Sequence, residues 1–121
     1  MKLHADKSDA PRVGAYGPGW IELDGERIQH SIVFSSRGHR ADWPCQGYED
    51  LGPGHFEQLA LDGVELVIFG SGERIRFPRP EWLAALVQRG IGLETMDTAA
   101  ACRTYNVLAA EGRHAVAALL L

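Results

Sequence analysis

The sequence predicts an α/β fold: a parallel or mixed β-sheet with helices on its faces, preceded by a β-hairpin unit. Three observations predict it. Strands are read at 64–69, 91–95 and 113–120, the first a nearly continuous apolar run of the kind that suits a strand covered on both faces. Between them lie stretches with apolar residues at helical spacing, and alternation of this kind favours a sheet sandwiched by helices. Upstream, Asp24-Gly25 separates two apolar runs, the strongest short-range hairpin signal.

Taken in order, Gly14 to Gly19 (Gly-Ala-Tyr-Gly-Pro-Gly) reads as a loop. Trp20–Leu23 and Arg27–Phe34 read as the two hairpin strands. Residues 35–54 are rich in Gly, Pro, Ser and charge, with Trp43-Pro44 favouring extended backbone, so an irregular excursion is expected. His55–Leu61 has room for two helical turns. After the strand at 64–69, Gly70-Ser71-Gly72 forms a turn, and alternating Arg74-Ile75-Arg76-Phe77 suggests a short strand. Pro80 suits a first helical position, Trp82, Leu83, Leu86 and Val87 repeat at helical spacing, and Gly90 ends a helix over about 80–89. The strand at 91–95 follows. Asp97 or Thr98 caps a helix over about 98–110, whose inner stripe is Ala101, Tyr105 and Leu108 and whose stop is Gly112. The run 113–120 is the last strand.

The chain has 121 residues, one domain's worth, with 1–14 expected as a loose tail. A chain of this length buries roughly 65% of its unfolded surface, enough for a core without staples. At 45% hydrophobic and 23% charged residues it is not disordered as a whole. The net charge of −4, with 12 basic and 16 acidic residues, speaks against a nucleic-acid partner. No run of 18 apolar residues exists, so no transmembrane segment is expected. The first residues lack the apolar stretch of a signal peptide. Two cysteines, Cys45 and Cys102, make neither a disulfide framework nor a zinc spacing. A reducing, cytoplasmic setting follows as the expectation.

Five scattered histidines give no metal-ligand set. No cofactor is expected either. Gly70-Ser71-Gly72 follows a strand as a dinucleotide-binding turn does, but the Glu73–Pro78 stretch behind it cannot be the required helix. The only lysines, Lys2 and Lys7, lie in the tail, which disfavours a Schiff-base centre. The arginines 74, 76 and 79 read as a solvated face.

What remains is a crevice. If the strands at 64–69 and 91–95 are parallel neighbours, their carboxyl ends place Gly70, Ser71 and Gly72 beside Met96, Asp97 and Thr98, where open α/β sheets bind ligands. Free N–H groups of the turn and of the helix start at Thr98, with Arg103 one turn further on, would favour a small anion such as a carboxylate or phosphate. Asp97 opposes this, and Glu111 is a competing partner for Arg103. Asn106 is a poor mid-helix residue, so a specific hydrogen-bond partner is expected for it. Cys102 and Tyr105 read as core residues.

The run Val67 to Gly72, then Phe77-Pro78, Gly90 to Met96, Ala100-Ala101, Arg103 to Leu108 and Glu111-Gly112-Arg113 resembles a domain-of-unknown-function family widespread in bacteria. That family is similar to the adipogenesis-associated human protein and the mitochondrial complex I assembly factor 3. The resemblance covers about residues 15–121 and is specific in the second half. Ser71 stands where family members often carry threonine. The resemblance implies a three-layered α/β fold with a central mixed sheet flanked by helices and an N-terminal β-hairpin extension. It also implies a binding or assembly role with a protein partner rather than catalysis. A binding role predicts an exposed apolar patch, expected near the hairpin and Trp43. The alternative is a small-ligand protein or enzyme using the crevice.

Overall fold

The computed structural model describes residues 9–121. An antiparallel three-stranded sheet comes first: β1 (Val13–Gly17), β2 (Trp20–Leu23) and β3 (Glu26–Ile28). The main sheet has five strands in the order β5-β4-β8-β6-β7. These are β4 (Ile32–Ser35), β5 (Arg40–Asp42), β6 (Leu66–Gly70), β7 (Gly92–Met96) and β8 (Ala115–Leu119). β6 runs parallel to both β7 and β8, and β4 is antiparallel to β5 and β8. The helices are α1 (Pro53–Glu57), α2 (Ala84–Gln88) and α3 (Thr98–Ala110), with 3₁₀ turns at Tyr48–Asp50 and Pro80–Leu83.

The continuous apolar runs are explained by burial on both faces. On β6 and β8, Ile68, Ala115, Ala117 and Leu119 pack toward α3 and the small sheet. Their neighbours Val67, Phe69, Val116 and Ala118 pack toward α1, α2 and Trp43. The strand period of two therefore fills two cores with one sheet between them. α3 lies along β6 and β8 through Ala101, Cys102, Tyr105 and Leu108, and Gly112, at φ 82°, turns the chain into β8. The three-layered architecture and the hairpin extension are as expected.

Several local expectations need correction. Gly14–Gly17 is strand rather than loop, and Val13 and Gly14 of the expected tail belong to it; residues 1–8 of that tail lie outside the described residues. The glycine at 17 serves close packing: a Cβ there would lie 2.5 Å from Trp20 Nε1. The run Arg27–Phe34 is two strands in two sheets, divided at His30-Ser31. The helix expected over His55–Leu61 begins earlier, at Pro53, and is short. The helix expected over 80–89 starts as a 3₁₀ turn.

Arg74–Phe77 forms no strand. β7 already occupies the place beside β6, so this segment's backbone is satisfied by side chains. Arg76 N–H donates to Ser71 Oγ at 2.9 Å, and Tyr48 OH donates to the Phe77 carbonyl at 2.6 Å. Trp43 does not line an exposed patch. It is 2% exposed, donates its indole N–H to the His55 carbonyl, and stands edge-on to Phe56 and Phe69.

Candidate functional site

Because β6, β7 and β8 are parallel, their carboxyl ends meet at one edge. A cleft of about 570 Å³ opens there. One wall is Ser71, Gly72 and Glu73 after β6, and another is Asp97, Thr98 and Ala99 at the start of α3. Leu120 and Leu121 after β8 form the back. The β1–β2 turn (Tyr16 to Gly19) and the Gln46–Tyr48 segment, with Arg76, close the sides.

The expected neighbours are thus brought together, but their polar groups are spent on one another. Ser71 N–H donates to the Met96 carbonyl at 2.9 Å, and Thr98 N–H to the Gly72 carbonyl at 2.8 Å. Gly72 N–H donates to Thr98 Oγ1, which in turn donates to the Leu120 carbonyl, both at 2.9 Å. Ser71 Oγ lies 2.8 Å from the Arg74 carbonyl and 3.2 Å from that of Met96. Asp97 caps α3, accepting Ala100 N–H at 2.9 Å. A serine or threonine hydroxyl has one proton to give, and here each gives it to the fold. Of the donors expected to converge on an anion, the N–H groups of Ser71, Gly72 and Thr98 are therefore occupied.

Gly70 sits beneath the cleft as the floor on which α3 rests. A Cβ there would lie 2.8 Å from Leu119 Cδ2 and 3.1 Å from both Ala101 Cβ and Thr98 Cα. Met96 contributes its carbonyl.

Arg103 and Asn106 are not part of the cleft wall. Arg103 Nη1 donates to Tyr16 OH at 2.7 Å, and this bond holds the guanidinium pKa above its ordinary value. Glu111 is not its partner among the described residues. Asn106 has the specific partner its helix position demands. Its Oδ1 accepts Val13 N–H at 3.0 Å and its Nδ2 donates to the Val13 carbonyl at 2.8 Å. The amide thus pairs with β1 as a neighbouring strand would, and pins the small sheet to α3.

The charged groups on the cleft walls are Glu73, Asp97 and Arg76. Arg76 is committed elsewhere, 3.2 Å from Glu49 Oε2 and 4.0 Å above the Tyr48 ring. Cys102 is a core residue, and Cys45 is half-buried against the other core. Burial pushes the Cys45 thiol up to about 11 and the Cys102 thiol to about 12. Burial also raises Tyr105, whose OH donates to the Pro11 carbonyl at 2.7 Å. Among the described residues no cluster of three or more His, Cys, Asp or Glu could hold a metal ion.

The sequence reading missed the cleft's sides. Only the Gly-Pro-Gly turn at 17–19 carried a local signal; Tyr48, Arg76 and the Leu120-Leu121 pair reach the cleft through tertiary structure alone.

The family model described as "Protein of unknown function (DUF498/DUF598)" matches residues 13–120. Among curated proteins, the mouse NADH dehydrogenase [ubiquinone] 1 alpha subcomplex assembly factor 3 is 44% identical over 120 residues, covering 98% of this chain and 64% of its own length. The human protein of that name is 29% identical over 127 residues, covering 98% and 65%. The chain thus spans about two thirds of the length of these relatives. A Bordetella parapertussis crystal structure superposes with TM-score 0.86 at 42% identity, covering 92% of this chain and 95% of that one. A Bordetella pertussis solution structure described as an Mth938-like domain superposes with TM-score 0.82 at 36% identity, covering 99% and 92%.

Proposed function

The chain belongs to the family described as Protein of unknown function (DUF498/DUF598), and from that premise we propose that it is a non-catalytic binding module serving the assembly of a protein complex. One observation carries this reading. At the edge where a parallel sheet would hold a reactive centre, the hydroxyls of Ser71 and Thr98 and the carboxylate of Asp97 are all bonded within the fold. What is left is a cleft of about 570 Å³, and we take a protein segment as its occupant. The assembly-factor names of the curated relatives support a protein partner, and complex I subunits are the first class to examine. Among the described residues no helix is long and apolar enough to cross a membrane. The two unpaired cysteines fit a reducing compartment, and we assign the chain to the cytoplasm.

The test is affinity capture of the tagged chain from native lysate, read by mass spectrometry, beside Ala99→Trp. That substitution places bulk in the cleft from a residue on its wall. The expected result is a reproducible protein partner whose recovery falls severalfold with Ala99→Trp at an unchanged denaturation midpoint. Capture indifferent to the substitution would overturn the reading. So would calorimetric binding of inorganic phosphate at millimolar or lower concentration that Arg76→Ala abolishes, which would establish the anion site instead.

A further inference from the structure

We propose that the segment Arg74–Arg79 is a docking surface for anionic lipid, by which the folded chain rests on a membrane. The segment reads Arg-Ile-Arg-Phe-Pro-Arg. Phe77 is 69% and Ile75 51% exposed, although both are large apolar side chains in a protein with two well-filled cores.

Their exposure is imposed by the backbone. Ser71 Oγ binds the Arg74 carbonyl and the Arg76 N–H, Tyr48 OH binds the Phe77 carbonyl, and Pro78 is buried. The segment is therefore held at both ends and in the middle, with two apolar side chains turned to solvent.

Charge identifies the occupant. Most arginine heads in this protein are committed: Arg40, Arg76, Arg89 and Arg113 to carboxylates, Arg37 to a carbonyl, Arg103 to Tyr16, and Arg27 to the Trp20 ring. Arg74 and Arg79 have no carboxylate within 4 Å among the described residues, and both are exposed. Two uncommitted cations thus flank two exposed apolar side chains. This is the arrangement that places guanidinium groups at phosphate headgroups and apolar side chains at the acyl boundary. The acidic groups nearby are Glu49, paired with Arg76; Glu73, on the cleft wall; and Glu81, two residues past Arg79. With a net charge of −4, the rest of the protein is repelled by an anionic surface. Contact is thereby confined to this segment, and binding is weak and reversible.

The experiment is sedimentation of the full chain with vesicles of phosphatidylglycerol and phosphatidylcholine, and with phosphatidylcholine alone. The expected result is binding to the anionic vesicles only, weakened by salt. Phe77→Ser should reduce it at least tenfold. Arg74→Gln and Arg79→Gln should each reduce it about fivefold. Phe77 is exposed, so Phe77→Ser should leave the denaturation midpoint unchanged. Absence of anionic-selective binding, or binding indifferent to Phe77→Ser, would overturn the proposal. So would a protein partner lost on Phe77→Ser from a chain that ignores vesicles, which would make the segment a protein interface.

Discussion

Replacing Asn106 by alanine tests how the small sheet is fixed to the rest of the molecule. The side-chain amide makes two hydrogen bonds to the Val13 backbone, at 3.0 and 2.8 Å, across 93 residues of sequence. Each contributes about 0.5–1.5 kcal/mol net, so the pair contributes roughly 2 kcal/mol. Alanine is the better helix former, which offsets about 0.6 kcal/mol. The net loss is then about 1–2 kcal/mol. With a urea slope of roughly 2 kcal/mol per molar, the middle of the usual range, the unfolding midpoint should fall by about 0.5–1 M. Native-state hydrogen exchange should show the loss locally, as faster exchange in β1.

The direction is informative because local and tertiary effects have opposite signs. On helix propensity alone, Asn106→Ala should stabilise. Asn106→Asp keeps the acceptor for Val13 N–H but sets a carboxylate against the Val13 carbonyl, so it should be at least as damaging as alanine. Val107→Ala, next to it and exposed, should change the stability by less than about 0.5 kcal/mol. An unchanged or raised midpoint for Asn106→Ala would refute the reasoning and leave apolar packing, with the Arg103–Tyr16 and Tyr105–Pro11 hydrogen bonds, as what holds the small sheet.

Leu108 lies on the buried stripe of α3 at 9% exposure, so Leu108→Ala should cost about 2–3 kcal/mol, the low end of the usual core range, measured by denaturant unfolding. Gly70→Ala should cost about 1–3 kcal/mol, because the new methyl would meet Leu119, Ala101 and the α3 backbone; Gly54→Ala, in a helix and with nothing within 4 Å of the added Cβ, should instead stabilise by up to about 1 kcal/mol in the same assay. With thiols pushed up to about 11 and about 12, both cysteines are almost wholly protonated at pH 8, and reactivity follows the thiolate. Cys45 should alkylate slowly and Cys102 only on unfolding, as followed by intact mass; rapid labelling of Cys102 in the native state would show that the α3 face is open.

How much of this was legible in the sequence depended on the range of the deciding interaction. α3 was predicted over about 98–110 and spans Thr98–Ala110, because its cap, its stripe and its glycine stop are all local. β6 and β8 were legible because burial on both faces leaves an unbroken apolar run, whereas β7, an edge strand with no buried residue, was legible from its place between two helical stretches. β1 was not, since its glycines fit a loop equally well until Trp20 packs over Gly17. The Arg27–Phe34 run concealed a passage between two sheets, and nothing in Trp43-Pro44 told that the indole would fold back between Phe56 and Phe69.

The same rule governs the site. The two turns at 70–72 and 96–98 were placed together correctly, because parallel strands with short turns at their carboxyl ends admit one arrangement. What those turns do with their polar groups was not legible. The turn at 70–72 is closed by Thr98 and the Met96 carbonyl, and Thr98 in turn by Leu120. Arg103 is drawn off by Tyr16, 87 residues away. A residue type announces which bonds it can make, whereas only the fold decides who takes them first. A threonine at a helix start is free for a ligand only if no carbonyl stands opposite, and here the end of β8 supplies one. The interior polar groups of this protein are therefore matched to one another. The uncommitted cations of Arg74 and Arg79, with the exposed side chains of Ile75 and Phe77, lie on one pinned segment at the surface.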